Sequence, residues 1–237
     1  MLPQRCSDLG GGVDHSGSCR GQGASASEGD RKEERVVSFG PQRTVIADAV
    51  VSIDGYSSTG PDDDMSWAME HISSPQSEVF YEGIWRGAST AVVGRTNWEG
   101  FTSVWPGLTE DPSSSTRTRD LGNWLATVEK VVFSTTLQQA DLETTQWTNA
   151  RVARDPEAEV RSLKTAPGRD ILVLNSASII QTLLKADLVD ELYLTVVPAT
   201  LGGGVRLLPT DHASTWQLAG TTTIPTTGAV TLHYRRP

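Results

Sequence analysis

Residues 44–53 read Thr-Val-Ile-Ala-Asp-Ala-Val-Val-Ser-Ile, and Asp54-Gly55 brings the run to a stop. A nearly continuous stretch of apolar and β-branched residues of this length predicts a strand buried on both faces, as in a parallel sheet. Downstream, Ala91-Val92-Val93 predicts a second short buried strand running into Gly94-Arg95-Thr96. Between the two, the polar and aromatic segment from Asp62 to Arg86 has room for one or two helices. Lys130 to Ser134 and Ile171 to Leu174 repeat the buried-strand pattern. Asp155-Pro156-Glu157 opens a helix: Asp caps free N–H groups, Pro suits the first turn, and Glu favours the positive end. Ala166-Pro167-Gly168 stops it. Ile179, Ile180, Leu183, Leu184 and Leu188 form one apolar helical face. Leu192 to Val197 is a strand ended by Pro198. Trp216 to Ile224 and Ala229 to Arg235 flank a Pro-Thr-Thr-Gly turn and predict a terminal antiparallel hairpin. The Pro/Ser/Thr-rich stretch from Trp105 to Asp120 reads as a mobile surface loop. Alternating strands and helices closed by a hairpin predict an α/β fold, with a mixed, mostly parallel central sheet covered on both faces.

Outside this pattern the composition mainly excludes. The chain of 237 residues carries a formal net charge of -9, so nucleic acid is not an expected partner. No apolar run reaches the length of a membrane span, and the first residues lack a signal-peptide core. A cytoplasmic protein is expected. Residues 1 to 42 are rich in Gly, Ser and charge, predicting a disordered extension ahead of a domain over 43–237. Two origins fit that extension. It is a native flexible tail, or it is translated sequence upstream of a start at Val37, with Lys32-Glu33-Glu34 encoded as a purine-rich ribosome-binding stretch. Both cysteines, Cys6 and Cys19, fall inside it with no zinc-motif spacing.

Chemistry in an open α/β sheet gathers at the carboxyl ends of its strands. Three such junctions carry small or hydroxylated residues: Gly94-Arg95-Thr96, Ser134-Thr135-Thr136, and Asn175-Ser176-Ala177-Ser178 directly before a helix. Glycine admits close backbone approach, arginine offers a planar donor fork, and a helix start attracts anions. Together they suggest a nucleotide-sized ligand. Neither G-x-G-x-x-G nor G-K-[ST] is present.

These residues carry a resemblance. Val51-Ser52-Ile53-Asp54-Gly55-Tyr56, then Val93-Gly94-Arg95-Thr96 with Trp98-Glu99-Gly100-Phe101, look like the opening motifs of the RibD C-terminal domain family, the reductase domain of bacterial riboflavin-biosynthesis proteins. Val132 to Leu137 is similar to its central strand. Asn175-Ser176-Ala177, Leu188 to Leu192 and Pro198 to Gly204 resemble its C-terminal half. The resemblance implies a dihydrofolate-reductase-like fold, a homodimer, and hydride transfer from NADPH, with NADH as the alternative. It implies that Gly94, Arg95 and Thr96 border the cofactor's phosphates or ribose. Ser134 and Thr135 would lie at the adenosine end, and Ser176, Ala177, Ser178 and Ile179 at the pyrophosphate. Ala47 would lie against the nicotinamide, and Gly202, Gly203 and Gly204 would close over cofactor or substrate. Two positions depart from the family pattern. Thr135 stands where an arginine often meets the 2′-phosphate, which weakens discrimination for NADPH. Asn175 stands where glycine is usual, though Asn tolerates left-handed backbone better than most residues.

A reductase also needs a proton source. Asp54, at the end of the first strand, is the first candidate, against the ordinary reading of a turn aspartate. Trp67 resembles the aromatic that follows the flexible loop in dihydrofolate reductases, against a core anchor. Asp62, Asp63 and Asp64 read as a solvated helix start, and Glu70 and His71 as surface residues. No metal-ligand cluster emerges. The expected activity is reduction of a small molecule: a pterin, a sugar-linked pyrimidine or an unsaturated metabolite. A non-catalytic binding module on the same fold is the second reading.

Overall fold

The structure is a computed structural model and describes residues 42–60 and 65–237. The N-terminal extension up to residue 41, its cysteines, and the run Asp62 to Asp64 lie outside the described residues.

The first strand, β1 (Val45–Ser52), is buried along almost its whole length, as its composition predicts. It leads through a short strand β2 (Tyr56–Ser58) to helices α1 (Ser66–Ile72) and α2 (Pro75–Trp85). Strand β3 (Ala88–Gly94) follows, then α3 (Arg95–Glu110), α4 (Thr116–Thr127) and β4 (Glu129–Phe133). After α5 (Gln139–Leu142) come β5 (Ala150–Ala153), α6 (Pro156–Thr165), β6 (Asp170–Leu174), α7 (Ala177–Lys185) and β7 (Glu191–Val197). A two-residue strand β8 (Val205–Arg206) and the hairpin β9 (Gln217–Ile224) and β10 (Ala229–Arg235) complete the chain.

Eight strands form one sheet in the order β5-β4-β3-β6-β1-β7-β10-β9. The pairs from β5 to β7 are parallel, and β10 runs antiparallel to both of its neighbours. The period of two along each strand divides the core. On one face, Val45, Ala47, Ala49 and Val51 pack with Val160, Leu163 and the α7 stripe Ile179, Ile180, Leu183 and Leu184. On the other, Ile46 and Leu172 meet Ile84 and Trp85 of α2, while Val93 and Val132 meet Trp98 and Leu125. α6 and α7 therefore cover one face; α2, α3 and α4 cover the other.

The stretch from Trp105 to Asp120 is mostly helical, contrary to the loop expected there. Only residues 111–115 separate α3 from α4. Pro106 sits within α3, where it removes an internal hydrogen bond. The helix persists because Trp98, Phe101 and Trp105 recur at helical spacing and pack on one cluster with Leu121 and Trp124. The serine run that suggested a loop supplies a cap: the Ser115 side chain accepts from Thr118 N–H at 3.0 Å. Strand β5 was not expected either, because four residues at a sheet edge carry too little pattern. Asp155 caps α6 as its sequence predicts, accepting from Glu157 and Ala158 N–H. Among the described residues, no helix is long and apolar enough to cross a membrane.

Candidate functional site

β3 and β6 are adjacent and parallel, yet the helices that follow them pack on opposite faces of the sheet. Neighbouring strands whose following helices go to opposite faces make a switch point, and such a point is where ligands bind in open α/β sheets. The Gly94 N–H, at the end of β3, donates to Ser176 Oγ at 2.9 Å, and the same hydroxyl donates to Leu174 O at 2.9 Å. Ser176 is buried, stands at the N-cap of α7, and makes no side-chain cap bond. Because its hydroxyl is engaged sideways, the first-turn N–H groups of Ala177, Ser178 and Ile179 have no capping side chain. That donor set suits an anion. Asn97, which sequence reasoning passed over, fixes the rim by donating to Leu174 O and Asn175 O at 3.0 and 2.9 Å.

The second boundary of the crevice is β1. It pairs with β6 only as far as Asp48, which lies opposite Leu174, and Asn175 N–H then donates to Asp48 O at 2.8 Å. Beyond that point β6 leaves β1. Asn175 takes a left-handed conformation at φ 41°, as its tolerance allows. Its side chain turns toward β1 and accepts from Val50 N–H at 3.1 Å. The amide thus lies across the opening between the two strands rather than over the start of α7.

Asp48 is the feature that the sequence reading missed. It lies in the middle of β1 with its side chain on the α2 face, and no other carboxylate or amine is opposite it in the sheet. Oδ1 is fully enclosed and has no hydrogen-bond partner among the described residues. Burial pushes its pKa up to about 7. Its neighbours on that face include two phenols. The Tyr81 hydroxyl, raised by burial and by the Asp48 charge, donates to Thr195 Oγ1 at 3.1 Å. Tyr193, opposite Asp48 on β7, is raised by burial and by surrounding carboxylates, Asp48 among them. The available signal was a lone acid inside a strand otherwise built for burial.

The outer rim is the turn after β4. Ser134 Oγ accepts from Thr136 and Leu137 N–H at 3.1 and 3.0 Å, leaving Thr135 exposed at the tip. Arg95 reaches the turn from α3, donating to Thr136 Oγ1 at 2.9 Å while paired with Glu99. Arg154 reaches it from the other side, donating to Ser134 O and to Leu137 O. Among the described residues Arg154 has no carboxylate partner, so its charge is uncompensated beside Thr135. Thr96 is exposed in the first turn of α3.

Other expected positions fall elsewhere. Ala47 is fully buried beneath α7 and paired with Val173 and Leu192, so its side chain is spent on the core. Asp54 accepts from Ser52 Oγ at 2.6 Å and from Leu201 and Gly202 N–H at 3.1 and 2.7 Å. Those bonds hold its pKa down to about 2. It is a clamp on the segment Leu201 to Gly204 and keeps its charge at neutral pH, which does not suit a proton donor. Gly202 and Gly203 follow the clamp, and Gly204 fits at φ 115° against the β2 backbone, where a Cβ would come within 2.1 Å of Ser58 O. Trp67 packs against the cluster of Val50, Ala68 and Val197. His71 meets Thr227 O at 3.1 Å and Glu70 at 3.3 Å. A cavity of about 310 Å³ lined by Thr102, Pro106 and Trp147 includes none of the crevice residues.

Comparison with known proteins agrees with this architecture. A relative, uncharacterized protein YyaP of Bacillus subtilis, is 29% identical over 166 residues, spanning 70% of this chain and 80% of its own length. The crystal structure of a putative riboflavin biosynthesis protein from Shewanella superposes with a TM-score of 0.58 at 17% identity, covering 82% of this chain and 99% of that one. Dihydrofolate reductase from Enterococcus faecalis, solved with NADP(H), gives 0.50 at 16% identity over 82% of this chain and 97% of the reductase. A deaminase/reductase of pyrimidine intermediates from Thermotoga maritima gives 0.53 at 12% identity; the chain covers only 57% of it. The fold is dihydrofolate-reductase-like, and because the RibD C-terminal domain model matches residues 43–230, the chain belongs to that family.

Proposed function

We propose that this protein is a reductase that uses a nicotinamide dinucleotide to reduce a small organic molecule. The observation that carries the reading is the crevice between β3, β6 and β1, where the uncapped start of α7 faces a sheet opening. The residues fit the cofactor in kind: unengaged N–H groups at a helix start suit a pyrophosphate, and arginines at the rim suit a further phosphate. When bound, the cofactor would supply the hydride. The chain's own residues then bind and orient. Ala177, Ser178 and Ile179 would hold the pyrophosphate through backbone N–H groups. Gly94 and Ser176 would form the crevice floor, and the segment Gly202 to Gly204, held by the Asp54 clamp, would close over cofactor or substrate.

Cofactor choice follows from the rim. Thr135 offers no charge, but Arg95 and Arg154 flank it, and among the described residues Arg154 has no carboxylate partner. We infer a preference for NADPH over NADH, with Arg154 replacing the arginine that the family pattern places at 135. Titration of tryptophan fluorescence with each cofactor tests both statements. Saturable NADPH binding is expected, and Arg154→Ala should weaken it about tenfold or more while leaving NADH unchanged. An equal loss for both cofactors would remove Arg154 from 2′-phosphate recognition.

One observation favours a second reading, a non-catalytic binding module: the Asn175 amide lies across the gap between β1 and β6. Folded protein that binds neither cofactor would select it. A homodimer belongs to the proposal too, supported by the open edge of β9 with Leu218 57% exposed. Light scattering tests it.

A further inference from the structure

We infer that Asp48 is the proton donor of the proposed reduction, delivering a proton to the heteroatom of the double bond that accepts the hydride. The inference rests on the reductase reading. Its basis is geometric. Asp48 sits where β1 parts from β6, so its backbone borders the crevice through Asn175 N–H while its side chain projects on the α2 face. Oδ1 is enclosed and unpartnered among the described residues, and no guanidinium or ammonium neutralises the carboxyl. A carboxyl in such a place is held protonated by burial alone and can act as an acid near neutrality.

The groups around it are consistent with that state. From α2, Tyr81 donates to Thr195, which shares a hydroxyl contact of 2.8 Å with Thr231. From β7, Tyr193 stacks on His233, whose Nε2 is bound to Glu191 at 2.9 Å. From α1, His71 meets the Thr227 carbonyl through Nδ1 and Glu70 through Nε2. None of these supplies a cation to Asp48. The step balances simply. The acceptor carbon takes a hydride from the reduced nicotinamide, which is oxidised. The heteroatom takes the Asp48 proton, the carboxylate remains, and solvent reprotonates it. Asp54 is excluded from this task by its three hydrogen bonds.

The test compares wild type, Asp48→Asn and Asp48→Glu. Carboxyl 13C NMR of aspartate-labelled protein is titrated from pH 4 to 9, with and without NADPH. A resonance titrating near pH 7 in wild type and missing from Asp48→Asn is expected, with NADPH affinity within about twofold in both. A carboxyl ionised throughout pH 5 to 9, or NADPH affinity lost with the Asn substitution, would overturn the assignment. In parallel, NADPH oxidation is followed with 7,8-dihydrofolate and with 2-methyl-1-pyrroline. For whichever acceptor is reduced, turnover should fall above about pH 7 and drop about 100-fold or more in Asp48→Asn with unchanged KM for NADPH, and Asp48→Glu should restore part of it. Equal turnover in Asp48→Asn overturns the inference. If neither acceptor is reduced, the carboxyl titration decides. Failure of NADPH binding in every protein would instead overturn the reductase reading.

Discussion

Replacing Asp48 by Asn should make the protein more stable at alkaline pH than at acid pH, relative to wild type. Asp48 has a folded pKa of about 7 against an ordinary value of 3.8. Between those values the folded protein holds a proton that the unfolded chain has released. Stability therefore falls as pH rises through that window, and the full penalty is present above pH 7. With about 1.4 kcal/mol per pKa unit, the whole penalty is about 4 kcal/mol. About 2 kcal/mol of it is already present at pH 5, so wild type should lose roughly 2–3 kcal/mol between pH 5 and pH 8 through this group. Asn has no such proton. Its own buried amide costs something, but the same amount at both pH values, so the difference between the two proteins isolates the carboxyl. Urea unfolding of both at pH 5 and pH 8 measures it. Asn should gain roughly 2–3 kcal/mol on wild type between the two pH values, or about 5–10 °C in Tm for a domain of this size. Parallel pH profiles for the two proteins would refute the reasoning, because they would mean that Asp48 is ionised in the fold at both pH values.

Two further outcomes follow from backbone geometry. Asn175 stands at φ 41° with its amide across the crevice, so Asn175→Gly should melt within about 2 °C of wild type and bind NADPH up to about tenfold more tightly; weaker binding would show that the amide forms part of the site. Gly204 has φ 115° and meets the Ser58 carbonyl, so Gly204→Ala should cost about 2 kcal/mol or more, and an unchanged Tm would mean that this segment is not packed on β2.

The fold was legible wherever a segment carries a period or a punctuation mark. β1, the α6 cap, the α7 stripe and the closing hairpin all follow from local chemistry. The segment 105–120 failed because Pro106 and the serines were weighed above the aromatic spacing, whose value depends on a cluster that the sequence does not display. The site was legible at its backbone parts, since Gly94, Ser176 and the α7 start are junctions by pattern. It was not legible where side-chain direction matters. Ala47 and Asp48 are neighbours on one strand, and only the sheet's register decides which face each one meets. Arg154 could be read as part of a helix start, but its approach to the Ser134 turn depends on β4 pairing with β5, a contact between distant segments.

Lys130 and Asp48 together separate structure from chemistry. Lys130 is as enclosed as any core residue, yet its Nζ donates to Val128 O at 2.6 Å and lies 5.7 Å from the Trp147 ring. Asp48 Oδ1 has no comparable partner. Burial lowers the Lys130 pKa to about 8 from 10.5, so between those values the unfolded chain holds the extra proton and stability rises with pH. That slope is opposite in sign to the one Asp48 produces between about 4 and 7. Lys130→Met should abolish the alkaline rise, leave the acid-side fall intact, and leave NADPH binding unchanged, since the side chain belongs to the Trp98 and Trp147 cluster rather than to the crevice. A partnered buried charge of this kind is explained by packing and can be replaced by packing. An unpartnered one is not, and if Lys130→Met impaired cofactor binding as much as any crevice substitution, the distinction that singles out Asp48 would fail with it.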